Sequence, residues 1–322
     1  MSAALDIVGI DALRPLLDRG RVIAAVRQAL IWQSEGEVQS PLPGQLLFAE
    51  PHGDCHIKYG HVAGSPTFAI KVATGFYDNP RLGLPVNHGL ILVFDALTGA
   101  PRVLIKDDGW LTAWRTAAAT AIAAATLAPA TIREVGVVGT GLQASLALEW
   151  LPETLGDRSC VVWGRSAAKA AALAATLGGA GRRVRAVSGL DELLQACDIV
   201  VTTTPAEAAL FAAARVRPGM HFVGVGADSP GKQELPAGLF ARAAHVLTDD
   251  HAQCLDHGDF GAAVRAGAVS DTADVMLGSV LSGAIALTRR PGDVTVVDLT
   301  GIAVEDIAIA DLFSGLLREA RR

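Results

Sequence analysis

From Arg133 onward the chain alternates short apolar runs with Ala-rich segments of helical length, and no other feature constrains its fold as tightly. REVGVVGTG, ALEWLPETLG, SCVVWGRS, AAKAAALAATLG, RVRAVS, DELLQAC and DIVVTTTP follow in strand and helix order, and MHFVGVGAD and AHVLTDD add strands. Apolar runs with no polar face belong to strands buried on both sides, as in a parallel sheet covered by crossover helices. The fold class expected is α/β, with a helical stretch around 275–286, a last strand VTVVDLTG and a C-terminal helix from Val304. The first third has another texture. A helical start over Ile10 to Gln33 gives way to alternation in GQLLFAE, CHIKYGHV and FAIKVATGFYD, then to a hairpin in LILVFDALTGAPRVLIKD and a helix over about Leu111 to Leu127. That pattern predicts a mostly antiparallel sheet. Residues 1–116 with 296–322 are expected to form one α+β domain, and 117–295 the α/β domain.

At 322 residues the chain exceeds what one growing core accommodates, and 51% hydrophobic against 19% charged residues excludes disorder. The 33 acidic and 27 basic residues are dispersed, so no nucleic-acid partner is expected. The most apolar stretch, LTAWRTAAATAIAAATLAPA, is Ala-rich and carries Arg115, which reads as a buried helix and not a membrane span. Four cysteines without CxxC spacing and an acidic N-terminal segment point to the cytoplasm.

Val135 to Ala144 reads VGVVGTGLQA, a strand, a Gly-x-Gly turn and a helix start. Gly139 permits the tight turn, Gly141 lets backbone approach a pyrophosphate, and Ala144 takes the third small position of a dinucleotide-binding Rossmann fingerprint. The next strand ends in Gly164-Arg165-Ser166, where an adenosine ribose is expected. Arg165 suits a 2′-phosphate or stacks on adenine, serving NADP or NAD.

Several polar residues interrupt apolar elements. Lys71 lies in FAIKVAT and Arg115 in the Ala-rich helix; each reads either as half of a buried ion pair or, together, as a carboxylate clamp. Asp228 ends MHFVGVGAD at the carboxyl side of the parallel sheet, a ligand position or a solvated loop. His56 and Lys58 share one face of CHIKYG, facing a cavity or solvent, with Cys55 and Ile57 on the other. No metal cluster is expected.

FAIKVATGFYDNP, LTAWRTAAATAIAA, VGVVGTGLQA, VGVGADSPGKQEL, the HAQCLDHGDF region and DLTGIAVED together resemble the ornithine cyclodeaminase/μ-crystallin family over nearly the whole chain. The resemblance implies a Rossmann nicotinamide-binding domain joined to a discontinuous substrate-binding domain that dimerises through its sheet, and hydride chemistry on amino acids or imines. It gives Lys71 and Arg115 to the substrate carboxylate and matches Asp228 to the catalytic aspartate of the cyclodeaminases. Asn87, His88, Arg115, Gly139, Gly141 to Gln143 (with Leu142), Arg165, Ser166, Thr202 to Thr204 (with Thr203), Val225 to Asp228 (with Gly226), Lys232, Thr300 and Gly301 fall at its cofactor-contacting segments.

Two departures matter. Where cyclodeaminases carry a glutamate before a Met-Pro pair, this chain reads Asp54-Cys55-His56-Ile57-Lys58-Tyr59, which exchanges an acid for bases; SPLPGQLLF has Gln45 and lacks the family's arginine. A basic pocket repels a diamine and suits a second carboxylate. CHIKYG, ATGFYDNP and WGRS are similar to ectoine-utilisation-type members and to those that reduce iminosuccinate to L-aspartate with NADH in the β-hydroxyaspartate cycle. The expected ligands are therefore a small dicarboxylic imine and NAD, with NADP left open by Arg165, and the expected assembly a homodimer. The rival readings are an ornithine or lysine cyclodeaminase or cyclic ketimine reductase, and a non-catalytic, NADPH-binding, μ-crystallin-like protein with an uncharged pocket.

Overall fold

A computed structural model of the chain describes residues 5–16 and 18–320. Residues 1–4 of the N-terminal segment, Leu17 inside the expected first helix, and residues 321–322 lie outside the described residues. Two compact units divide the chain, Met1–Arg115 with Ile302–Arg322 and Thr116–Gly301. The second join departs from the expected 295. The strand Val294–Asp298 is bonded on both sides to strands of the second unit, so the chain leaves that unit only after Gly301.

In the first unit, β1 (Asp6–Gly9), β2 (Val38–Gln39), β3 (Gly44–Phe48), β4 (Gly53–Val62), β5 (Thr67–Phe76), β6 (Asn87–Asp95) and β7 (Pro101–Lys106) form one sheet. Its order is β1-β7-β6-β5-β4-β2, with β3 also on β4; β4 to β7 are antiparallel and β1 joins β7 in parallel. The expected long helix from Ile10 is split into a single turn, Ile10–Leu13, and a helix Arg19–Ser34. Pro15 interrupts the helical bonding, and Asp18 restarts it by accepting from Arg21 N at 2.8 Å. The C-terminal helix Ala303–Ala320 packs on Arg19–Ser34 and on β4 and β5. It presses close: a Cβ on Gly60 would lie 3.3 Å from Ile307 Cδ1.

Strand register assigns the two faces of this sheet. Lys58 pairs with Lys71, Lys71 with Ile91 and Ile91 with Ile105, which puts both lysines on the face under the C-terminal helix. On the opposite face Ile7, Leu104, Leu92, Ile70 and Tyr59 form one row across five strands.

The second unit holds β8 (Val135–Val138), β9 (Cys160–Trp163), β10 (Val184–Ala186), β11 (Ile199–Thr202), β12 (His221–Gly224), β13 (Ala243–Thr248), β14 (Asp274–Met276) and β15 (Val294–Asp298). All are parallel, in the order β10-β9-β8-β11-β12-β15-β13-β14. Reading outward from β8 the order reverses between β8 and β11, which is the switch point where a doubly wound sheet opens a crevice at its carboxyl edge. The expected helical stretch at 275–286 opens as β14 and is helical only over Leu277–Leu281. No described helix is long and apolar enough to cross a membrane.

Candidate active site

In the second unit the turn after β8 has the shape its glycines imply. Gly139 holds φ at +134°, and a Cβ there would meet Thr203 Oγ1 at 2.4 Å, so only glycine fits. Gly141 is the opposite case. It precedes the helix Leu142–Trp150 at φ −87°, no side chain caps that helix, and a Cβ on Gly141 would have nothing within 4 Å. Uncapped N–H groups beside open space form a cradle for a phosphate. Leu142 is exposed, Gln143 half-buried, and Ala144 is buried against the sheet. Arg165 is exposed beyond the end of β9, while Ser166 caps the helix Ala167–Gly179 by accepting from Lys169 N.

The other cofactor candidates of this unit cluster at the carboxyl ends of β11, β12 and β15. Thr202 is buried and donates to Glu234, Thr203 Oγ1 donates to the Val138 carbonyl, and Val225 is buried. Asp228 is exposed, with Lys232 Nζ 2.6 Å from its Oδ1. Thr300 and Gly301 are held by Asp249, whose carboxylate accepts from both backbone N–H groups at 2.8 and 2.7 Å.

In the first unit, Lys71 and Arg115 are brought together by two acids that sequence reasoning missed. Lys71 Nζ lies 2.7 Å from Asp306 Oδ2; Arg115 donates through Nε to Asp306 Oδ1 at 3.2 Å and through Nη1 to Glu305 Oε2 at 2.8 Å. All four side chains are buried, and so is Lys58. The helix Trp110–Ala125 carries Arg115, and Ala303–Ala320 presents Glu305 and Asp306 in its first turn. The buried-pair alternative for the two cations therefore describes contacts that exist. A lysine offers three donors and a guanidinium five; Glu305 and Asp306 engage one and two of them. Burial lowers the Lys71 pKa to about 7, against Asp306, which raises it, and with Arg115 and Lys58, which lower it further. Asp107, the next carboxylate, caps the following helix by accepting from Leu111 N at 2.7 Å.

Toward one end of the same face, register places Gln45, His56 and Ala73 in one row and Leu47, Asp54, Gly75 and Asn87 in the next. Asp54 corrects the reading of this stretch as purely basic. Its carboxylate accepts from Tyr77 Oη at 2.8 Å and lies 3.6 Å from His56 Nε2, so an acid accompanies the histidine. His88 points to the opposite face from Asn87 and sits 3.8 Å from Asp108. Asp54, Tyr77, Glu305, Asp306, Glu234 and Asp249 were not singled out from sequence. The acids of AVED carried a signal, two carboxylates in an otherwise apolar helix start. Among the described residues no three side chains group as metal ligands.

Known proteins share this architecture. The iminosuccinate reductase of Paracoccus denitrificans is 30% identical over 256 residues, covering 78% of this chain and 79% of its own. Its crystal structure in complex with NAD+ aligns with a TM-score of 0.89 at 25% identity over 98% of this chain and 97% of that one. An archaeal alanine dehydrogenase dimer with bound NAD gives a TM-score of 0.90 at 26% identity over 99% and 97%. An uncharacterized cyclodeaminase of Sinorhizobium fredii is 36% identical over 279 residues, 85% of this chain and 84% of its own. The family description that matches residues 14–319, nearly all of both units, settles the relationship: the chain belongs to the ornithine cyclodeaminase/mu-crystallin family.

Proposed function

We propose that the chain is an NADH-dependent imine reductase that converts iminosuccinate to L-aspartate. One observation carries the choice of substrate: the cationic side chains of Lys58, Lys71 and Arg115 are all buried in the first unit, and Lys71 and Arg115 share one carboxylate, Asp306. Lys71 and Arg115 have more donors than Glu305 and Asp306 engage, and buried cationic donors favour an anionic ligand. The family relatives that carry NAD support the cofactor, and the Gly139 to Ala144 cradle fits its pyrophosphate.

The dinucleotide supplies hydride. Lys71 and Arg115, already aligned by Glu305 and Asp306, orient the α-carboxylate with their remaining donors. His56 and Lys58 neutralise the β-carboxylate, and Asp54 with Tyr77 fixes the His56 ring. Asp228 holds or passes the proton on the imine nitrogen, because a neutral imine accepts hydride poorly. The family also supports a homodimer formed through the outer sheet face, where Ile7 is 70% and Tyr59 46% exposed.

A second reading has one observation in its favour. Asp54 adds a carboxylate beside His56 on the face that carries Lys58 and Lys71, and a carboxylate can receive an amine. Purified protein given NADH with oxaloacetate and ammonia, or NAD with ornithine, separates the two. NADH consumption in the first mixture alone is expected; turnover of ornithine alone would transfer the protein to the cyclodeaminases, and no turnover in either would favour a binding protein.

A further inference from the structure

Glu234 follows β12, has no exposed surface, and meets four donors that carry no charge. Its Oε1 accepts from Thr204 N at 2.5 Å and Thr204 Oγ1 at 2.7 Å; its Oε2 accepts from Thr202 Oγ1 at 2.8 Å and Gly226 N at 2.7 Å. One carboxylate thus ties the chain leaving β11 to the chain leaving β12. The tie is tight: a Cβ on Gly226 would lie 2.1 Å from the Thr204 carbonyl and 2.7 Å from Glu234 Oε2, so the two segments approach as closely as backbone allows. Glu234 is itself anchored, since Asp259 Oδ1 accepts from the N–H groups of Glu234 at 2.8 Å and Leu235 at 3.0 Å. Burial pushes the Glu234 pKa up, and the four donors work against that shift. An anion kept in an interior without a cation is costly, so the arrangement serves something other than stability.

The place of these strands says what. The phosphate cradle follows β8, and β11 and β12 begin the other half of the doubly wound sheet, so a dinucleotide crossing the switch point would set its adenosine on the side of β9 and its other half on the side of β11 and β12. We infer that Glu234 is a positioning residue for the nicotinamide half of the dinucleotide: without touching the cofactor, it fixes the spacing of segments 202–204 and 225–228 that face that half. The inference rests on the dinucleotide reading above and is independent of the imine substrate.

Glu234→Gln keeps the shape and breaks the pattern. Whichever way the amide turns, its NH2 faces one backbone N–H, of Thr204 or of Gly226, which cannot reverse its polarity. Calorimetric titration with NADH and, separately, with ADP, which lacks nicotinamide and its ribose, reads the consequence. In Glu234→Gln the Kd for NADH is expected to rise about 10- to 100-fold, and that for ADP by no more than about twofold. Thr202→Val removes one donor with little change of shape and should give the same split at roughly 3- to 10-fold; it carries the test if the first variant does not fold. Equal weakening of both ligands, or no weakening of either, would overturn the assignment. Wild-type protein that binds neither ligand would remove the dinucleotide reading and this inference with it.

Discussion

Lys71 has its charge set by burial and the neighbouring cations Arg115 and Lys58, which disfavour it, against the Asp306 carboxylate, which favours it. With its pKa brought down to about 7, the ammonium is half lost near neutrality. If it binds the substrate carboxylate, kcat/KM should fall by about tenfold per unit as pH rises above about 7. Lys71→Arg, which does not titrate, should flatten that limb; a limb that persists in the variant would assign it to another group. Asp306 is the partner both cations share, so Asp306→Asn leaves buried positive charge uncompensated. A loss of about 3–5 kcal/mol in urea unfolding is expected, and a loss below about 1 kcal/mol would mean the network is looser than its geometry. The cations were legible in the sequence because a charge in an apolar strand or helix is conspicuous. Their partners were not, because Glu305 and Asp306 are 190 and 191 residues from Arg115 and only folding brings them together.

The parallel sheet was readable at the scale of elements because its inner strands β8, β11, β12 and β15 are buried on both faces and advertise it with apolar, mostly Val-rich runs. Strand order in space was not, since nothing in VTVVDLTG says that it inserts between β12 and β13. That insertion brings Asp298 beside Asp259. A Cβ on Gly224 would lie 3.0 Å from Asp259 Oδ2 and 3.5 Å from Asp298 Oδ1, and neither oxygen has a hydrogen-bond partner. Burial, with Glu234 adding to it, raises the Asp259 pKa to about 8; burial, Asp259, Asp249 and Glu234 raise that of Asp298. The folded chain therefore holds a proton that the unfolded chain has released between the ordinary carboxylate range and about pH 8. Stability from this pair is complete at acid pH, declines by roughly 1.4 kcal/mol per unit across that window, and levels off above it. Urea unfolding from pH 6 to 9 should show the decline, and Asp298→Asn should reduce its slope. The glycine turn offers a cleaner contrast. Gly139→Ala meets Thr203 and should lower both the melting temperature and dinucleotide affinity, whereas Gly141→Ala meets nothing and should lower affinity alone, each read by thermal unfolding and calorimetry. A melting temperature equally depressed in both variants would show that the second glycine supports the fold and not the ligand.

For the whole chain, the division into two units was visible as a change of rhythm near Arg133, although the path falls inside the helix Trp110–Ala125 at Arg115 and Thr116 and returns after Gly301. The outer face of the first sheet was harder to foresee, because alternation says that a strand has two faces and not what covers each. On that face Ile7, Leu104, Leu92, Ile70 and Tyr59 run side by side, and Phe68 stacks on Phe94 at 4.8 Å between ring centroids. A row of this kind left to water would cost solubility, and a two-fold axis through the sheet would bury it twice over with one set of side chains. The dimer proposed above should therefore sediment at twice 33.3 kDa and hold together in high salt, because its contact is apolar and owes little to screened charge. Ile70→Glu sets a carboxylate in the middle of the row and should give a species of 33.3 kDa. ADP-ribose binding should survive in that monomer, since the phosphate cradle and its supports all lie in the second unit. A wild-type chain that sediments as a monomer, or an Ile70→Glu variant that remains dimeric, would place the contact on some other surface.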